Sequence, residues 1–157
     1  MAKSLINDRA LIPLFHCLAR DGQYFDSSDF KRKRNLVIYL LTHPTLDFLL
    51  SLEEVQGSLR EQNAEVLVVT QRSVPEIQNL HSQHRLTYWI LSDEERGVLG
   101  RFVQAADQEK VAALFIADKF GEVFFQYIVA DVADLPPYGD IAQSLAFIQS
   151  QCPECGT

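Results

Sequence analysis

Cysteine is scarce in this sequence and poorly placed for a disulfide framework. The 157 residues hold three, Cys17, Cys152 and Cys155, an odd number where a staple-built secreted domain pairs an even set. Long apolar runs are missing too. None reaches the roughly 18–20 residues of a membrane span, and Met1 to Asp8 shows no signal-type apolar stretch before its charges. Positive charge is in deficit, the formal net charge being -7. A field of that sign repels phosphate backbones and anionic lipid, so neither nucleic acid nor a membrane surface is expected as a partner. No repeat, low-complexity tract or Gly/Ser linker divides the chain, which reads as one domain over 1–157. What remains is a cytoplasmic globular protein. Its hydrophobic fraction is 47%, and a chain of this length hides roughly 70% of its unfolded surface on folding.

The apolar pattern then gives an order of elements. Leu5 to Pro13 reads as a short leading helix. Leu14–Ala19 and Gln23–Ser27 flank Asp21-Gly22, a hairpin turn signal because glycine accepts positive φ. Ser27 or Ser28 can cap one helical turn through Phe30, and Lys31 to Arg34 reads as a solvated basic turn. Asn35 to Leu41 is a continuous apolar run, the signature of a strand buried on both faces. From Leu46 the residues Leu49, Leu50, Leu52, Val55 and Leu59 form the stripe of an amphipathic helix, with Glu53 and Glu54 on its wet side. Glu65 to Thr70 is a second buried strand, completing a βαβ unit. Ser73 and Pro75 open a helix to about His84. Leu86 to Leu91 is extended, and Ser92 with Glu95 reads as a capping box for another helix. Val111–Ala117 and Glu122–Ala130 flank Asp118-Lys-Phe-Gly121 as an antiparallel hairpin. Ile141, Leu145 and Ile148 mark a last helix ending at Cys152-Pro153.

This order resembles the thioredoxin fold, and more narrowly the peroxiredoxin-like alkyl hydroperoxide reductase/thiol-specific antioxidant family. The likeness rests on Ile12-Pro-Leu-Phe-His-Cys-Leu-Ala-Arg-Asp-Gly22, Ser28-Asp-Phe30 with its basic neighbours, Asn35 to Leu41, Leu114-Phe-Ile-Ala-Asp118 and Phe120-Gly-Glu-Val123. It spans roughly residues 12–151, leaving 152–157 as a tail. The resemblance implies an α/β chain with a central mixed β-sheet, helices on both faces and an N-terminal β-hairpin. It also implies antioxidant or thiol-disulfide oxidoreductase ancestry and a thiol reductant as partner.

One element of that family is absent. Its enzymes carry a cysteine just after the first central strand, at the N-terminus of the following helix, where partial positive charge favours a thiolate. Here the segment reads Thr42-His-Pro-Thr-Leu-Asp-Phe-Leu-Leu-Ser51. Thr45 is the nearest hydroxyl, but no sequence neighbour is an obvious base for it, and it reads as a helix cap. Asp47 suits the helix dipole. If the fold keeps a peptide-accepting surface, His43, Pro44, Thr45, Asp47 and the loop before Val111 would form it.

The remaining cysteines leave several readings open. Cys17, on the first hairpin strand, reads as a small packed hydrophobe. Cys152-Pro-Glu-Cys155 is a Cys-x-x-Cys pair, which serves redox chemistry or forms half of a zinc knuckle. It follows a helix C-terminus and encloses Glu154, and both raise a thiol's pKa. Zinc as cofactor needs two more ligands. His81 and His84 share a helix face, but that helix is expected on the opposite side of the sheet from the last one. A second chain could supply two cysteines and make a zinc-linked homodimer. The functional readings are therefore three: a redox protein working through Cys152 and Cys155, a redox-inactive protein-binding module, and a metal-linked dimer.

Overall fold

The structure is a computed structural model, and it describes residues 1–151. Cys152 and Cys155, with the tail readings attached to them, lie outside the described residues. The chain begins with strand β1 (Lys3–Ser4), then the hairpin β2 (His16–Leu18) and β3 (Tyr24–Asp26). Strand β4 (Asn35–Leu41), helix α1 (Leu46–Glu61), strand β5 (Ala64–Thr70), helix α2 (Val74–His84) and strand β6 (Trp89–Ser92) follow. Helix α3 (Leu99–Phe102), strand β7 (Val103–Gln104), the hairpin β8 (Ala112–Ala117) and β9 (Val123–Val129), and helix α4 (Tyr138–Gln151) complete it. Seven strands form one mixed sheet in the order β3-β2-β6-β5-β4-β8-β9, while β1 pairs with β7 apart from it.

The central strands are where the uninterrupted apolar runs placed them. Every residue of β4 and β5 is buried, and the two run parallel with Val37 opposite Val66 and Leu41 opposite Thr70. Strand β8 lies antiparallel on the other side of β4, and β6 is parallel to β5. The turn between β8 and β9 is held by Asp118, whose Oδ1 accepts the N–H groups of Phe120 and Glu122, and Gly121 takes φ +85°.

The sheet separates two cores. One face gathers Leu49, Leu52 and Leu59 of α1, Ile77 of α2, and Ile141, Leu145 and Ile148 of α4. The other gathers Phe15, Cys17 and Phe25 of the N-terminal region with Leu99 and Phe102 around α3. Helices α2 and α4 thus share a face, contrary to the sequence expectation. The crossovers β4–α1–β5 and β5–α2–β6 step the same way across the sheet, and right-handed crossovers that do so lie on one side.

Three local readings are corrected. Leu5 to Pro13 is not helical. It is irregular, with a turn closed by Ala10 N–H donating to Asn7 O in which Arg9 takes φ +67°, and its backbone bonds to distant segments: Leu5 N–H donates to Phe102 O, Arg9 N–H to Val123 O and Ile12 N–H to Gly121 O. Those partners satisfy groups that a helix would have bonded internally. Ser92 and Glu95 form no capping box. Ser92 belongs to β6 and its hydroxyl donates to Arg72 O. Asp93 caps the short α3 instead, its two oxygens accepting Val98 N–H and Leu99 N–H at 3.0 Å each. The turn over Ser27–Phe30 exists, but Asp26 caps it by accepting from Ser28 N–H. At α2 the reading holds. Ser73 and Glu76 bond each other's backbone reciprocally, with proline in the first turn.

Candidate functional site

The C-terminal end of β4 leads through four residues, Thr42 to Thr45, into α1, and this corner gathers the residues singled out in the sequence. Thr45 is the N-cap. Its backbone is extended and its hydroxyl accepts Phe48 N–H at 3.2 Å. Leu49 N–H donates to Thr45 O at 3.1 Å, which starts the helix. Asp47 sits exposed in the first turn, where a carboxylate complements the helix dipole. Pro44 is buried, and its carbonyl faces Arg72 Nη2 at 3.4 Å. His43 is exposed. Leu46 beside them is 41% exposed, an apolar side chain at the mouth of the corner.

Val111 joins this corner through Thr42, a residue the sequence reading did not single out. Thr42 N–H donates to Val111 O at 3.0 Å, and Val111 N–H donates to Thr42 Oγ1 at 2.9 Å. The hydroxyl lies 2.8 Å from His43 Nδ1 and 3.2 Å from Val111 O, so its single proton has two candidate acceptors. The signal that could have found it is a hydroxyl residue directly after an all-buried strand, where the ladder must end.

The chemistry available here is limited. No described acid or imidazole side chain bonds the Thr45 hydroxyl, whose recorded partner is Phe48 N–H. The Thr42 hydroxyl has a histidine beside it, yet it is tied into the backbone of Val111 and is half-buried. The thiol among the described residues, Cys17, is elsewhere. It is buried on β2, its thiol pushed up to about 12 by burial first and by the Asp93 carboxylate second. A thiol so placed is protonated near neutrality, and the thiolate is the nucleophilic form. Among the described residues no group of three His, Cys, Asp or Glu side chains is arranged to hold a metal ion. His81, a candidate ligand by spacing, bonds Leu86 O through Nδ1 at 2.7 Å.

The fold and this corner define a thioredoxin-fold, peroxiredoxin-like protein. The profile of the AhpC/TSA family matches residues 9–126, and the chain belongs to that family. Among solved structures it is similar to the peroxidoxin BcpB from Mycobacterium tuberculosis at 13% identity and TM-score 0.73, over 92% of this chain and 97% of that one. It is similar to the reduced 2-Cys peroxiredoxin of Plasmodium vivax at 15% identity and TM-score 0.74, over 96% and 86%. A thiol peroxidase from Chromobacterium violaceum gives 17% identity and TM-score 0.71, over 92% and 88%. These identities establish the shared fold and no more. No curated protein sequence matches the chain. No helix among the described residues is long and apolar enough to cross a membrane.

Proposed function

We propose that this chain is a redox-family protein without peroxidatic chemistry at the β4–α1 corner, and that it uses the corner to bind a protein partner. The observation that carries this reading is Thr45. The helix N-terminus that would acidify a thiol holds a threonine whose hydroxyl is spent on Phe48 N–H. The surroundings suit a protein partner: His43, Thr45, Leu46 and Asp47 are exposed at the corner that Thr42 ties to Val111. Exposed groups on a rigid corner are a common arrangement for recognition. The test compares partners captured by wild type and by a folded His43→Glu, Thr45→Glu variant. Loss of a partner supports the surface, and an unchanged partner set counts against it.

The sequence Cys152-Pro-Glu-Cys155 favours a second reading, a thiol-disulfide oxidoreductase whose working pair is that dithiol. Differential alkylation with mass measurement, with and without peroxide, tests it. A pair that stays fully reduced under peroxide opposes this reading. Zinc in the purified protein together with a dimer in solution would assign the pair to metal instead.

A further inference from the structure

The end of the sheet opposite the corner carries an apolar pocket of about 120 Å³. Leu11, Ile12 and Leu14 wall it from the N-terminal segment, Phe30 from the turn after β3, Leu36 from β4, and Phe120 from the turn between β8 and β9. These walls are tied to one another through the backbone. Ile12 N–H donates to Gly121 O at 2.9 Å, and Arg32 N–H donates to Lys119 O at 2.6 Å. Asp118 stiffens the turn that both reach, since its Oδ1 accepts from Phe120 N–H and Glu122 N–H. The pocket is therefore preformed, as small-ligand sites usually are.

Its lining leaves apolar surface uncovered. Leu11 is 65% exposed, Leu14 55% and Phe120 41%, while Ile12 and Leu36 in the same lining are buried. A single exposed leucine needs no explanation. Three large apolar side chains around one concavity mark a surface that another apolar body covers. The volume bounds that body. A dry apolar cavity of about 150 Å³ takes one benzene ring, so this pocket, open on one side, admits a single ring or a chain of similar bulk.

The charge around the pocket is mainly positive. Lys31 and Lys119 belong to its lining, and Lys119 Nζ lies 5.6 Å from the centre of the Phe120 ring. Lys31 also opens the run Lys31 to Arg34, four consecutive cations in a chain of net charge -7. We propose that the pocket binds a small monocarboxylic acid, its ring or chain among Leu11, Leu14, Leu36 and Phe120 and its carboxylate at the solvent edge beside Lys31 and Lys119. Burial of the apolar body supplies most of the affinity. The lysines act through water and contribute a preference of a few fold, which salt screens.

Phenylacetate, its neutral amide phenylacetamide, and acetate separate the body from the head group. The full chain is titrated with each in low salt and in high salt, and backbone amide shifts are read by NMR. Phenylacetate is expected to bind saturably and to shift the amides of Leu36, Phe120 and Gly121. Phenylacetamide binds about two- to fivefold more weakly in low salt, and equally in high salt. Acetate, a head group without a body, gives no saturable shift at those amides. The double variant Leu11→Trp, Leu14→Trp fills the pocket from two exposed wall positions and weakens phenylacetate by about tenfold or more. Lys31→Gln with Lys119→Gln removes the preference for acid over amide. Absence of saturable phenylacetate binding, shifts centred elsewhere, acetate binding as well as phenylacetate, equal affinity of acid and amide in low salt, or undiminished binding in the tryptophan double variant overturns the assignment.

Discussion

The Thr42 hydroxyl takes the place of a backbone carbonyl opposite Val111. Leu41 pairs with Ala112 at the end of the β4–β8 ladder, and Thr42 N–H continues it by donating to Val111 O at 3.0 Å. The return bond, from Val111 N–H, goes to Thr42 Oγ1 at 2.9 Å. The side chain thus completes the ladder while the main chain turns away through His43 and Pro44 into α1.

Replacing that hydroxyl therefore weakens the corner. Thr42→Val leaves Val111 N–H without its acceptor, at a cost of about 1–3 kcal/mol. Thr42→Ser keeps the oxygen and costs less than Thr42→Val. Urea unfolding midpoints of the two variants against wild type check the order.

Thr45 contributes through its cap. Thr45→Ala should lower stability by about 1 kcal/mol, and Thr45→Asp should retain most of it, because a carboxylate also accepts from the first turn. Chemical denaturation of both variants measures this.

The same position tests whether the corner still acidifies a thiol. Thr45→Cys, made with Cys152→Ser and Cys155→Ser, places a thiol at an exposed helix N-terminus. It should alkylate readily near neutral pH, while Cys17 in the same native molecule stays unmodified. Peptide mapping after a short iodoacetamide pulse reads both sites. Equal labelling of the two would contradict the electrostatic argument.

Cys17 also predicts a pH dependence. Its thiol is raised from the ordinary 9.0 to about 12 in the folded chain, by burial and then by Asp93. Below pH 9 both folded and unfolded forms keep the proton, and the full stabilisation is present. Between about 9 and about 12 only the unfolded form ionises, so stability falls as pH rises. The stability of wild type should drop more steeply through that window than that of Cys17→Ala. Parallel profiles would contradict the assignment.

The central strands were legible because β4 and β5 are buried on both faces, which requires unbroken apolar runs such as Asn35 to Leu41. The segment Leu5 to Pro13 was misread because its backbone bonds go to Phe102, Gly121 and Val123, partners distant in sequence. The α3 cap was misassigned for a related reason: Asp93 reaches Val98 and Leu99 across a turn in which Arg96 takes φ +59°. At the candidate site, His43, Pro44, Thr45 and Asp47 were readable from their place between strand and helix. The role of Thr42 was not, since it depends on Val111, 69 positions away.

The most direct test of the proposal that the corner carries no peroxidatic chemistry is peroxide consumption with a dithiol reductant by the Cys152→Ser, Cys155→Ser double variant. That variant keeps the β4–α1 corner and Cys17 intact. The account predicts a rate equal to the protein-free background. Turnover above background in the double variant would contradict it, because the catalyst would then lie among the residues assigned here to caps, ladders and core.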